Sequence, residues 1–297
     1  MNHKPLHFKR VLRGLLITLL LCATLLYLGL PVGMGIYAAH PGREAVGGMP
    51  EGFEEVTLMA DDSVKLEAWY RPPENGAAII LIHGAGASRE SVRPYAMMLA
   101  RHGYGVLALD LRGHGRSEGK TNRLGWQGTR DVGAAVTFLE GRNEVQRIGG
   151  LGISMGGETL LGAASLYPAI EAIAADGATR RSTEELLALE SERPLGRNFT
   201  ARVMYATVQL LTGDMPPKFL LDAMIEAKSS RFLFIAAGRN TLEKAFNQLF
   251  ATTLGSRASL WIASETDHTG AFSRYLEEYE QRVIEFFDDA LLIDPML

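Results

Sequence analysis

The sequence predicts an α/β fold: a mostly parallel eight-stranded sheet with flanking helices and a helical cap inserted late in the chain. Three observations predict it. Short, nearly continuous apolar runs have strand length, and the amphipathic segments between them have helix length. Their strand, helix, strand repetition requires parallel pairing through crossovers. A chain of 297 residues with 47% hydrophobic content is also long and apolar enough to bury a sizeable core as one large domain.

Residues 1–40 differ from the rest. From Gly14 to Ala39 no residue is charged, and a helix needs roughly 20 such residues to cross a hydrocarbon core of about 30 Å. Lys4, Lys9, Arg10 and Arg13 precede the run, and the first acid is Glu44. Positive charge on one flank keeps the amino terminus cytoplasmic and places everything after residue 40 outside. The expectation is a single-pass anchor with the lipid bilayer as partner. The competing reading is a cleaved signal peptide and a secreted domain. The run, however, is longer than a usual signal core, and "IYAAHP" is a poor small-x-small cleavage site. Cys22 follows Leu21 rather than a small residue, which argues against a lipoprotein site. Residues 41–53, rich in Gly and Pro, read as a linker.

The domain at 54–297 then unfolds in order. "EEVTLMA" (54–60) and "KLEAWYRP" (65–72) alternate apolar and polar residues, as half-exposed antiparallel strands do. "AAIILIHG" (77–84), "GVLALDL" (105–111), "RIGGLGIS" (147–154), "EAIAADG" (171–177), "RFLFIAAG" (231–238) and "ASLWIAS" (258–264) read as strands covered on both faces. Helical patterns fall between them, at 88–103, 128–141 and 155–167. Residues 178–230 carry helical patterns without a strand and read as the cap over the strand ends, where such sheets bind ligands. Its apolar stripe has three possible fates: lining a substrate site, facing the membrane, or packing on the core. The last segment spaces Phe272, Tyr275, Tyr279, Val283, Phe286 and Ala290 as one face of a covering helix.

The net charge of -4, from 34 acids and 30 bases without a basic face, argues against nucleic acid as a partner. One cysteine rules out an intrachain disulfide and a cysteine metal cluster. The chemistry gathers at "LGISMGGETL". Ser154 stands between an apolar strand and a helical pattern, with Gly152 and Gly156 two positions away on either side. This is the context of a nucleophile elbow, in which a sharp turn projects the hydroxyl from the sheet edge. A serine needs a base, for which histidine is the usual choice. Of seven histidines only His268 follows Ser154, in the loop after the last strand, and it is the expected general base.

"LIHGAGAS", "LDLRGHGRSEG" and "GISMGG", in this order and spacing, resemble the oxyanion loop, the loop after the fourth strand and the nucleophile elbow of the alpha/beta-hydrolase family. The likeness covers the chain from about residue 50 to its end. It implies an oxyanion hole from the backbone N–H groups of Met155 and Ala85, with His83 and Asp110 shaping loops. It also implies an acid three residues after the glycine that ends the seventh strand, where this chain has Thr241. Glu243, two residues on, is the expected acid. Asp176, after the sixth strand, is the alternative, and Asp267 is too close in sequence to reach the ring of its neighbour. The expected function is a serine hydrolase of the carboxylesterase kind, taking a small-molecule acyl substrate through an acyl-enzyme. Peptidase or thioesterase chemistry uses the same triad, and a noncatalytic membrane-tethered binding module is the rival of another class. No metal and no organic cofactor is implied.

Overall fold

The computed structural model describes residues 4–40, 43–120, 122–189 and 199–292. His3, the first two residues of the expected linker and residues 190–198 of the expected cap lie outside them. The eight expected strands form one sheet: β1 (Glu54–Met59), β2 (Lys65–Arg71), β3 (Ala77–Ile82), β4 (Gly105–Leu109), β5 (Arg147–Ile153), β6 (Ile170–Asp176), β7 (Arg231–Ala237) and β8 (Ala258–Ala263). Their order is β1-β2-β4-β3-β5-β6-β7-β8. The antiparallel pairs are β1 with β2 and β2 with β4; all other pairs are parallel.

The apolar runs of β3 to β7 are continuous because both sheet faces are covered there; β8, expected to be covered alike, is an edge strand that leaves Ser259 exposed, and β2, expected to be half-exposed, buries Ala68, Trp69 and Tyr70 in succession. Ala78, Ile80 and Ile82 of β3 point into one core, and Ala77, Ile79 and Leu81 point into the other. The first core is closed by α4 (Gly128–Glu140), α5 (Met155–Ala163), α8 (Leu220–Glu226) and α9 (Thr241–Leu254). The second is closed by α3 (Arg93–Arg101) and α11 (Leu276–Phe287). The single covering helix expected at the end of the chain is divided. Residues Ala271–Arg274 form a separate turn, α10, because Tyr275 leaves helical geometry at φ −131 before α11 begins.

Between β6 and β7 the described residues form no strand. They form α6 (Thr183–Leu189), α7 (Phe199–Thr212) and α8. The apolar segment at the start of the chain is a helix in two parts, α1 (Lys4–Thr24) and α2 (Leu30–Ala39), joined by a wider turn at Leu25–Gly29. Cys22 is exposed on it. The last part packs on the domain: Pro31, Gly35, Ala38 and Ala39 are buried. Residues after it hug the surface as well. Arg43 donates to the Ser117 carbonyl at 2.9 Å, and Glu44 accepts from the Ser88 amide and hydroxyl at 2.8 and 2.9 Å.

The loop after β4 is held by a buried ion pair. Asp110 accepts the Arg89 backbone N–H at 2.6 Å, the Arg89 guanidinium at 2.5 Å and the Arg116 N–H at 2.9 Å, and both charged side chains are fully buried. Removing Asp110 leaves the buried Arg89 guanidinium only a 3.5 Å contact with the part-exposed Glu55 carboxylate among the described residues. Asp110→Ala is therefore expected to cost ~3–5 kcal/mol. A thermal melt followed by circular dichroism checks this, with a midpoint lower by roughly 6–20 °C.

Candidate active site

Ser154 follows the last residue of β5 and immediately precedes α5. Its backbone lies at φ 54 and ψ −118, a region that side-chain-bearing residues rarely occupy, and its N–H is pinned to the Asp176 carbonyl at 2.6 Å. The flanking glycines permit this by close approach. A Cβ on Gly152 would strike the backbone of Gly156 and Gly157, and one on Gly156 would strike the carbonyls of Ile82 and His83. Strand, turn and helix are thus packed backbone to backbone, which lifts the hydroxyl off the sheet edge.

His268 comes from the loop after β8. Its Nε2 lies 2.8 Å from Ser154 Oγ, and its Nδ1 lies 2.7 Å from Glu243 Oε2. A carboxylate can only accept, so Nδ1 carries the proton and Nε2 is left to accept from the serine hydroxyl. Glu243 sits in the first turn of α9 and is fully buried. Its Oε1 accepts the Ala237 N–H at 2.6 Å, and Asn240 Nδ2 donates to Oε2 at 3.2 Å. Asn240 also caps α9 by accepting the Glu243 N–H at 3.1 Å. The carboxyl is therefore held by two donors, one on each oxygen, before the ring meets it. Gly177 leaves room for the ring, since a Cβ there would stand 2.8 Å from His268 Cε1.

Asp176 is close by but does not bond the ring. Burial, reinforced by the charge of Glu243, pushes it up to about 7, and its Oδ2 has no hydrogen-bond partner among the described residues. Thr241 opens α9, the His268 ring bonding Glu243 and Ser154 instead, and Asp267 lies at the surface beside Arg239. Met155 is the first residue of α5, where a helix leaves its N–H groups without intrahelical acceptors. Ala85 lies in the loop after β3, and its N–H finds no backbone acceptor among the described residues. That loop is set by His83, buried and pushed down to about 4 by desolvation and hence neutral, which donates from Nδ1 to the Gly84 carbonyl and accepts the Leu111 N–H at Nε2. His114 is held near 4 as well, by burial and by His83.

Two residues escaped the sequence reading. Glu158, one turn into α5, accepts the Thr179 amide and hydroxyl at 3.0 and 2.9 Å and the Arg180 N–H at 3.1 Å, and so fixes the start of the segment after β6. Its signal was an acid in the first turn after the elbow. Arg123 abuts Gly86 of the loop after β3 and also bonds the end of α2. Nothing in its sequence surroundings marks it. Among the described residues no group of three or more His, Cys, Asp or Glu gathers as a metal site.

The Glu243 carboxylate on Nδ1 raises the His268 pKa above its ordinary 6.5, and burial works in the opposite direction. In the general-base role expected of it His268 must be neutral, so raising its pKa moves the expected active range to higher pH. The expected kcat/KM profile is a rising limb with its midpoint above 6.5, and Glu243→Gln moves that midpoint down. A pH profile on a soluble ester measures both.

The family model described as "Serine aminopeptidase, S33" matches residues 73–220. With the eight-stranded fold this places the chain in the alpha/beta-hydrolase family. An esterase of Pyrococcus furiosus has a similar structure, with a TM-score of 0.66 and 23% identity over 85% of this chain and 98% of that one. The uncharacterized protein YfhR of Salmonella typhi is 28% identical over 53% of this chain and 55% of its own length. The 2-hydroxy-6-oxo-6-(2'-aminophenyl)hexa-2,4-dienoic acid hydrolase of Metapseudomonas resinovorans is 33% identical over 55% of each. The chain spans about half the length of these curated relatives.

Proposed function

We propose that the chain is a membrane-anchored serine hydrolase that cleaves an ester or related acyl bond. The observation that carries this reading is the unbroken hydrogen-bonded line from Ser154 Oγ through His268 to Glu243. Ser154 attacks the acyl carbonyl while His268 Nε2 takes its proton. The oxyanion that forms is met by the N–H groups of Met155 and Ala85. His268 then gives the proton to the leaving alcohol, and water clears the acyl-enzyme by the same route. Glu243 holds the ring in the productive tautomer and stabilises its charged form.

A noncatalytic binding module that has lost its acid is disfavoured, because Glu243 stands behind the ring. The same machinery serves peptides, and the family description makes an aminopeptidase the second reading. The anchor is supported by the packing of α2, since a segment destined for removal has no reason to bury four residues in the domain. Purified full-length protein in detergent should hydrolyse p-nitrophenyl esters from acetate to decanoate. Matched amino-acid p-nitroanilides separate the peptidase reading. A folded protein that turns over neither series would refute the hydrolase.

A further inference from the structure

The apolar helix does not end in a tether. Its buried residues Pro31, Gly35, Ala38 and Ala39 lie on one face, and that face packs on α7. Gly35 has no room for a Cβ, which would stand 2.5 Å from Thr207 Cβ and 2.8 Å from the Met204 carbonyl. The two helices meet through small residues, as helices associating within a bilayer do. They also run the same way, because Gly35 faces Met204 and Thr207 while Ala39, one turn on, clusters with Val208 and lines one cavity with Leu211 and Thr212.

This alignment sets the depth of α7. A hydrocarbon core of roughly 20 residues, counted from Arg13, ends near residue 33. Phe199 begins α7 six or so positions before the Gly35 contact, roughly 9 Å deeper along the axis. Phe199 therefore lies roughly 6 Å inside the core boundary, and α7 climbs out through the headgroup layer, so that Leu210 stands roughly 10 Å beyond the boundary, at the outer edge of that layer. Its exposed face suits that place. Phe199, Leu210 and Leu211 are 42%, 85% and 51% exposed, Met215 beyond it is 74% exposed, and Arg202 is the only charge in the helix. An arginine near a helix start reaches the interface by extending along its stem.

The same helices are fixed to the catalytic edge of the sheet. Arg123 donates its backbone N–H to the Ala38 carbonyl at 2.7 Å and its Nε to the carbonyls of Tyr37 and His40, and its guanidinium lies 4.0 Å over the Tyr37 ring. Trp126 stacks on Tyr205 of α7 and donates to the Arg181 carbonyl at 2.8 Å. Between these two residues Gly125 abuts the Met155 side chain, beside the nucleophile. We propose that the exposed face of α7 lies in the bilayer leaflet in which the apolar helix ends, so that the catalytic edge faces lipid and the site takes a membrane-partitioned amphiphilic acyl ester. This deepens the hydrolase reading and rests on it and on the anchor.

The test uses the full chain in phosphatidylcholine vesicles, with Cys22→Ser as background and an environment-sensitive nitrobenzoxadiazole probe at Leu210→Cys, Phe199→Cys or Leu166→Cys. Leu166 is 59% exposed in the turn before β6, at the opposite end of the sheet, and serves as the aqueous control. Spin-labelled lipid should quench the probe at Phe199 strongly and that at Leu210 measurably but less, and leave that at Leu166 unchanged. Leu210→Glu with Leu211→Glu should slow hydrolysis of a long-chain ester dissolved in the vesicles about tenfold or more, by expelling the face from the interface. Hydrolysis of p-nitrophenyl acetate should not change. Equal quenching at all three sites, in protein that resists carbonate extraction, overturns this inference and leaves the anchor standing. Release by carbonate overturns the anchor and the inference together. Quenching as expected, in protein that cleaves neither ester, overturns the hydrolase reading and the substrate part of this one, while the lipid contact of α7 stands.

Discussion

Ser154→Ala is expected to lower kcat/KM on an ester by roughly 10⁴- to 10⁶-fold, leaving only what the oxyanion donors and substrate binding supply. The rest of the site should stay in place, because Ser154 is held by its backbone, through the bond to the Asp176 carbonyl, and among the described residues the hydroxyl has only His268 as partner. A second substitution separates chemistry from strain. Ser154→Gly loses the same hydroxyl but accepts φ 54 without cost, so it should be inactive and yet more stable than Ser154→Ala by about 1–3 kcal/mol. Steady-state kinetics and urea denaturation of the two variants side by side check both halves.

Glu243→Gln carries the next largest effect. The amide oxygen can still accept the Ala237 N–H, which preserves the start of α9, but an amide group turned to His268 donates to Nδ1. The ring is then forced into the tautomer that presents N–H, not a lone pair, to Ser154. A loss of roughly 10³- to 10⁴-fold in kcat is expected, with little change in KM. Glu243→Ala should be worse for folding, since it leaves the buried Ala237 N–H without an acceptor.

Much of this architecture is legible in the sequence for a physical reason. Strands covered on both faces must be apolar throughout, so β3 to β7 announce themselves, and the polar alternation of β1 reports its exposed positions; that of β2 misleads, because β2 is paired on both sides and buries Ala68, Trp69 and Tyr70 in succession. The elbow is equally plain, because backbone packing at Gly152 and Gly156 tolerates no side chain. The acid is harder. Glu243 reaches His268 only because Asn240 starts α9 where it does and because glutamate is longer than aspartate, and both depend on how two loops meet in space. Asp176 sits near the same ring, so composition alone could not choose between them. The docking of α2 on α7 was hidden too: Gly35, Ala38 and Ala39 read as members of an apolar run, and their small size gains meaning only against Thr207. The break at Tyr275 follows no glycine or proline and left no mark on the helical spacing.

The most direct measurement is covalent labelling of the purified full-length protein with a fluorophosphonate, followed by mass spectrometry of the modified peptide. The account predicts a single phosphonylated residue, Ser154, lost in Ser154→Ala and formed much more slowly in Glu243→Gln. Labelling that persists in Ser154→Ala, or a folded protein that takes up no label, would contradict it.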